Sequence, residues 1–315
     1  MVRGRTIKSR CAAVAAALLV LAGCETAPGT GVFPEARPDD TTLPQVQPTS
    51  AESAALRQYF VQVQSAQLSQ GLLREDGGGP DTPFTADMLA RNFEQIVFYN
   101  EYATALRGRG GDSPLRRWEG PVRVDVMFGD SLPQSQRSSD GSAVRQYVNR
   151  LARATNHPVS QSGRPNFLVV VASEDDRGDA LDAAAARIPG ITKQSLDPLR
   201  QLDRDTYCAV AAYDTGPQSY VYTAAIALIR AENPPLLRLS CIHEELAQGL
   251  GLANDSRNAR PSIFNDDDEF ALLTNHDELL LRMLYDPRFS PGMTAAEAAP
   301  VIRIIARELT ASTPL

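Results

Sequence analysis

The stretch from Asn233 to Gly251 constrains the fold more than any other part of the chain. Asn233 reads as an N-cap and Pro234 suits the first helical turn. Leu239, Ile242, Leu246 and Leu250 then recur on one helical face before Gly251 ends it. At about 100° per residue, Glu244 and Gln248 fall together on the side roughly opposite that stripe, with Glu245 flanking them. Taken alone, this polar side reads as a solvated helix face. Upstream, Val122, Val124, Val126 and Phe128 alternate with polar residues in a half-buried strand, and Ser142 to Ala154 reads as a helix. Asn166 to Ala172 reads as a second, more buried strand. An acidic stretch from Glu174 to Asp205 predicts one or two short helices. Cys208 to Ala212 and Val221 to Ile229 read as two further strands around a turn at Asp214, Thr215, Gly216 and Pro217. The order strand, helix, strand, insertion, strand, strand, helix predicts an α+β domain with a mixed sheet over 121–315. Before it, 51–120 predicts an N-terminal helical cap, with helices over Ala51 to Leu73 and Ala86 to Ala105 and a break at Glu75 to Pro83. The only tryptophan, Trp118, is placed to pack that cap onto the sheet. Downstream, Thr274 with Asp277 and Thr294 with Glu297 read as helix-capping pairs. Pro300 should kink the last helix or mark its start.

The amino terminus has another character. Arg3, Arg5, Lys8 and Arg10 precede an apolar run from Cys11 to Ala22. That run is shorter than the roughly 20 residues a spanning helix needs, and 1–23 reads as a secretory signal. Its end, Leu21-Ala22-Gly23-Cys24, resembles the bacterial lipobox. The resemblance implies cleavage before Cys24, acyl chains on its thiol and new amino group, and attachment to the membrane through that lipid. Glu25 follows, and the absence of Asp there points to the outer membrane, with the body facing the periplasm. Residues 24–50, rich in Pro, Thr, Gly and acids, read as a disordered tether. Loss of the four basic leader residues takes the formal charge from −7 to −11. Such an acidic body disfavours nucleic acid as a partner.

Cys11 leaves with the leader and Cys24 carries lipid, so Cys208 and Cys241 remain together in an oxidising compartment and are predicted to form a disulfide. A competing reading makes Cys241 a nucleophile served by His243. Residues two apart on a helix point to different sides, which weighs against it. His157 and His276 read as surface or capping residues. Asp266-Asp267-Asp268-Glu269 lacks the spacing of a calcium-binding EF-hand loop and reads as a solvated acidic loop. No Gly-x-Ser-x-Gly, phosphate-binding glycine loop or Cys-x-x-Cys occurs, so those chemistries are disfavoured.

Glu244-Glu245-Leu-Ala-Gln248-Gly-Leu-Gly251-Leu-Ala-Asn254 has the spacing of the metzincin zinc signature, with each metal-binding histidine replaced. Ser262-Ile263-Phe264 resembles the methionine turn of that clan, and the strand order and Leu273 to Asp277 look similar as well. The resemblance covers about 121–285 and implies a zincin-like mixed sheet around a central motif helix. Carried over by position, Glu244 and Gln248 stand where two ligands would be, Asn254 or Asp255 where the third would be, and Glu245 where the general base would be. These donors are all oxygens. They suit calcium, magnesium or manganese better than zinc, so no zinc cofactor is expected, with an oxygen-coordinated divalent ion as the alternative.

More broadly, Gly71-Leu-Leu-Arg-Glu-Asp76, Leu115-Arg-Arg-Trp118, Glu244 to Gln248, Ser262 to Asp266 and Leu284-Tyr-Asp-Pro-Arg288 resemble a proteobacterial lipoprotein family, domain of unknown function 2927. That resemblance brings no activity with it. Three readings of function remain open. The first is a non-catalytic binding module for a peptide, a cell-wall fragment or another envelope protein. The second is a working hydrolase with Glu245 as general base. The third is a structural envelope protein.

Overall fold

The computed structural model describes residues 49–99, 111–214, 216, 219–265 and 267–312; the leader, Cys24, nearly all of the tether and Asp266 lie outside the described residues. Strands β1 (Val122–Phe128), β2 (Val159–Ser160), β3 (Phe167–Ala172), β4 (Cys208–Asp214) and β5 (Tyr222–Arg230) form one mixed sheet. Its order is β2-β1-β3-β5-β4. β1 runs parallel to β2 and β3, and β3 parallel to β5, with Val169 opposite Val126 on one side and Ala227 on the other. Only β4 is antiparallel, pairing Val210 with Ala227, and it lies at the edge. β3 is buried along its whole length because helices cover both faces, which is why it reads as a continuous apolar run.

Helices α3 (Gln134–Thr155), α6 (Pro235–Leu250) and α7 (Asn275–Leu284) supply the core on the face that carries Phe167, Val169, Ala225 and Ala227. On the other face Leu168, Val170, Ile226 and Leu228 pack against α4 (Arg177–Arg187) and the short α5 (Asp197–Arg200). Helix α2 (Ala86–Val97) packs on α7 and on α8 (Ala295–Ser312). Helix α1 (Ala51–Ser69) sets Leu56 and Phe60 against Leu237 at the start of α6 and Ala271. The described residues thus hold eight α-helices and a five-stranded mixed sheet, the α+β arrangement expected from the order of elements.

Several element bounds differ from the sequence reading. α1 stops at Ser69, because the chain turns through positive φ at Gly71 and Leu73. α2 stops at Val97, and Tyr99 pairs in an isolated bridge with Asp112. α3 begins at Gln134, eight residues before the predicted start. Its first turns are polar and show no apolar period; they are held by tertiary contacts, chiefly the buried Asp140 carboxylate, which accepts two bonds at 2.8 and 2.9 Å from Arg238 Nε on α6. α6 starts one residue late, with Pro234 at the cap and Pro235 at the first position. Pro300 lies inside α8, which already begins at Ala295. The two predicted capping pairs are present, with Thr274 and Asp277 bonded reciprocally and Thr294 and Glu297 likewise.

The motif helix α6 is seated by remote side chains at both ends. Pro234 offers no side-chain cap, and Gln64 Oε1 of α1 accepts from Leu237 N–H at 3.1 Å instead. At the other end Trp118 Nε1 donates to Gly249 O at 2.8 Å and the Tyr285 hydroxyl to Leu250 O at 2.9 Å, satisfying carbonyls the helix itself leaves open. Gly249 lets the helix lie directly on the sheet, since a Cβ there would sit 2.4 Å from Phe167 Cζ. Gly251, at φ +124°, turns the chain where a Cβ would meet Arg116 O at 2.5 Å. Trp118 is buried, stacks on Phe167 of β3 and meets Tyr222 of β5 edge-on, so it packs directly on the sheet.

Candidate functional site

α6 crosses the same sheet face as β4 and β5, and its polar residues are not a solvated face. Glu245 is 3% exposed, while Glu244 and Gln248 are half-buried. Leu239, placed on the apolar stripe by periodicity, is only half-buried, and Leu237 and Cys241 take the buried positions. The helix is therefore nearly enclosed, and the two-sided division seen in the sequence gives way to burial on most sides.

Beyond Gly251 the chain folds back against this helix. Gln248 Nε2 donates to Asp255 Oδ1 at 3.4 Å, so two of the residues assigned to ligand positions meet. Asn254 is turned the other way, its Nδ2 donating to Gln95 O of α2 at 3.0 Å and to Asp255 O at 2.8 Å. Ser256 N–H donates to Phe264 O at 2.8 Å and closes the loop. The Ser262-Ile263-Phe264 turn is buried, with Ile263 and Phe264 in the same core as Leu246 and Leu250. Asp277 at the start of α7 holds it. Ser262 Oγ donates to Asp277 Oδ1 at 2.5 Å, and Ile263 N–H to Oδ2 at 3.0 Å.

Zinc does not fit this set. Glu244, Gln248, Asn254 and Asp255 offer oxygens only, and Gln248 and Asn254 hold their amides in bonds to neighbouring carbonyl and carboxylate groups. Among the described residues, the acidic and sulfur groups that lie close enough for a single ion are instead Cys208, Glu244 and Glu245, with ligand atoms within 4.8 Å of one another. Cys208 is bonded to Cys241, with Cα atoms 5.9 Å apart, as the cysteine count predicts. The disulfide ties the first residue of β4 to α6 and removes the nucleophile reading of Cys241. The proximity of this bond to the two glutamates was missed, although Cys241, Glu244 and Glu245 stand at i, i+3 and i+4.

The histidines have structural partners. His243 Nδ1 accepts from Leu273 N–H at 3.0 Å, and the ring stacks on Tyr147 with centroids 3.9 Å apart. Burial, reinforced by the Arg150 charge, lowers its pKa to about 3, so it stays neutral. His276 is not a surface residue: it is fully buried, faces Asn92 Nδ2 at 3.1 Å and meets the edge of Phe84. The sequence suggests a surface or capping residue, since a polar side chain at a helix start is ordinarily solvated, whereas here α2 covers it. His157 is half-buried against Gly120 O and Tyr285, and burial lowers its pKa. In the acidic loop, Asp268 accepts from Gln67, and Glu269 pairs with Arg74 and Arg260.

A family model described as "Protein of unknown function (DUF2927)" matches residues 86–304. No curated protein and no solved structure matches the chain.

Proposed function

The chain belongs to the DUF2927 family of proteins of unknown function, and we propose that it is a lipid-anchored envelope protein whose zincin-like body binds an extended peptide segment of another envelope component without cutting it. The observation that carries this reading is the half-buried Glu244 and Gln248 row on a helix packed against β4, the edge strand of the sheet. An edge strand offers backbone N–H and C=O groups to an added strand, and polar side chains beside it can set register. Support for the zincin-like likeness comes from the order β2-β1-β3-β5-β4 with an antiparallel edge, the helix directly after β5, the glycine that ends it, and the buried Ser262-Ile263-Phe264 turn. Against hydrolysis stand the burial of Glu245, which keeps a general base from water, and the poor fit of zinc to Glu244, Gln248, Asn254 and Asp255.

Screening the acyl-free chain against immobilised peptide arrays is expected to identify bound, uncleaved sequences. Glu244→Lys with Gln248→Lys should weaken them by roughly tenfold or more, since like-charge or steric mismatch at such a site costs about 1.4 kcal/mol or more. Metal-dependent cleavage lost in Glu245→Gln would overturn the reading in favour of a hydrolase, and unaltered binding in the double variant would remove the cleft from it.

The membrane attachment rests on Leu21-Ala22-Gly23-Cys24. Cells fed a labelled fatty acid should label this protein, with the label lost in Cys24→Ala and the body recovered in the soluble fraction. Label retained in that variant would rule out Cys24 as the anchor.

A further inference from the structure

Cys241, Glu244 and Glu245 share one side of α6, because residues three and four apart are neighbours on a helix. Cys208 meets them from the start of β4, its sulfur and one oxygen from each glutamate lying within 4.8 Å of one another. In the oxidised chain the two sulfurs are bonded to each other. A separate feature points to the reduced state. Asn233, which is 2% exposed, shares Nδ2 between Tyr207 O at 3.1 Å and Cys241 Sγ at 3.7 Å, and its Oδ1 has no hydrogen-bond partner among the described residues. An N–H within reach of the sulfur favours a thiolate there once the disulfide opens.

We propose that reduction of the Cys208–Cys241 disulfide creates a four-donor site for a thiophilic divalent cation, with zinc as the chemical type, formed by both sulfurs and by carboxylate oxygens of Glu244 and Glu245. A dithiol reductant supplies two electrons and two protons. Its own sulfurs join in a disulfide while the Cys208–Cys241 bond breaks to two thiols. The ion then bonds to both sulfurs, whose protons pass to solvent, and to two carboxylate oxygens that balance its charge. Two thiolates and two carboxylates form a tetrahedral set of donors that zinc accepts, and Asn233 supplies the outer contact that orients one sulfur. This site is distinct from the oxygen-only set of Glu244, Gln248, Asn254 and Asp255, because sulfur enters and the amides take no part. It makes ion binding conditional on the redox state of a bond that also ties β4 to α6.

Cobalt(II) tests the proposal, because thiolate ligation gives near-ultraviolet charge-transfer absorption that oxygen ligands do not. The full chain, in mild detergent, is reduced with a phosphine, desalted under argon and titrated with cobalt and then zinc. The expected result is one cobalt per reduced chain with the charge-transfer band, displacement by zinc, and no band in the oxidised chain. Glu244→Gln with Glu245→Gln keeps both cysteines and is expected to weaken binding by about 10–100-fold, as is Asn233→Ala. Absence of the band in the reduced chain overturns the proposal, whether that chain stays folded or not. Equal affinity in both redox states, or unchanged affinity in the glutamine pair, also overturns it.

Discussion

Asp277→Ala is expected to destabilise the fold by about 4 kcal/mol, because it removes one fully buried carboxylate that serves four donors. These are Ser262 Oγ at 2.5 Å, Ile263 N–H at 3.0 Å, Thr274 N–H at 2.9 Å and Thr274 Oγ1 at 2.9 Å. Alanine takes the acceptor from Ser262 Oγ and from the Ile263 and Thr274 N–H groups, whereas Thr274 Oγ1 can still donate to Pro261 O at 3.0 Å; each orphan costs about 1–3 kcal/mol before relaxation. The loss links two functions of the carboxylate: capping α7 and pinning the Ser262-Ile263-Phe264 turn against the core that holds α6. Urea denaturation of Asp277→Ala and Asp277→Asn measures it. Asparagine retains one acceptor oxygen and should lose less. A decrease below about 1 kcal/mol for alanine would mean the donors find other partners.

The second large effect concerns acid. His243 has a folded-state pKa of about 3, against an unfolded value of about 6.5. Below the unfolded value the unfolded chain takes up a proton that the folded chain refuses. Unfolding is therefore favoured progressively as pH falls from about 6.5 towards 3, and the stability present above that range is lost. Between about pH 6.5 and pH 4 the loss from this one residue is about 3 kcal/mol. The groups around it are Tyr147, stacked on the ring, and Arg150, whose charge disfavours a second positive one. His157, also shifted downward by burial, adds in the same direction. The contribution of His243 is isolated by comparison with His243→Asn, whose side-chain oxygen still accepts from Leu273 N–H. Denaturation midpoints of the wild type should fall more steeply with acid than those of the variant. Parallel curves would show that His243 titrates normally in the folded chain.

These two residues also show where sequence reasoning reaches and where it stops. Asp277 was legible as half of a capping pair with Thr274, since that interaction spans three residues and needs only the local helix. Its hold on Ser262, 15 residues away, was not, because nothing in a linear pattern marks which donors a buried carboxylate will meet. Helical spacing argues against His243 serving Cys241, but its neutral, stacked state depends on α3 and the Leu273 segment closing over it. The alternation of Val122 to Phe128 and the apolar run of β3 specified strands, and hydrophobic period specified α6. The polar start of α3 shows no period and lies outside the helix expected from Ser142, its order coming from the Asp140 pair with Arg238 on another helix.

The sequence by itself determined the element types, the mixed α+β class and, from cysteine arithmetic, the Cys208–Cys241 bond, because each follows from local periodicity or from simple counting. Only the tertiary structure decided the edge position of β4, the burial of Glu245 and His276, the turning of Asn254 towards α2, and the meeting of a disulfide with two glutamates. Those features depend on which distant segments share a dielectric and a set of hydrogen-bond partners, and that is settled only when the layers pack.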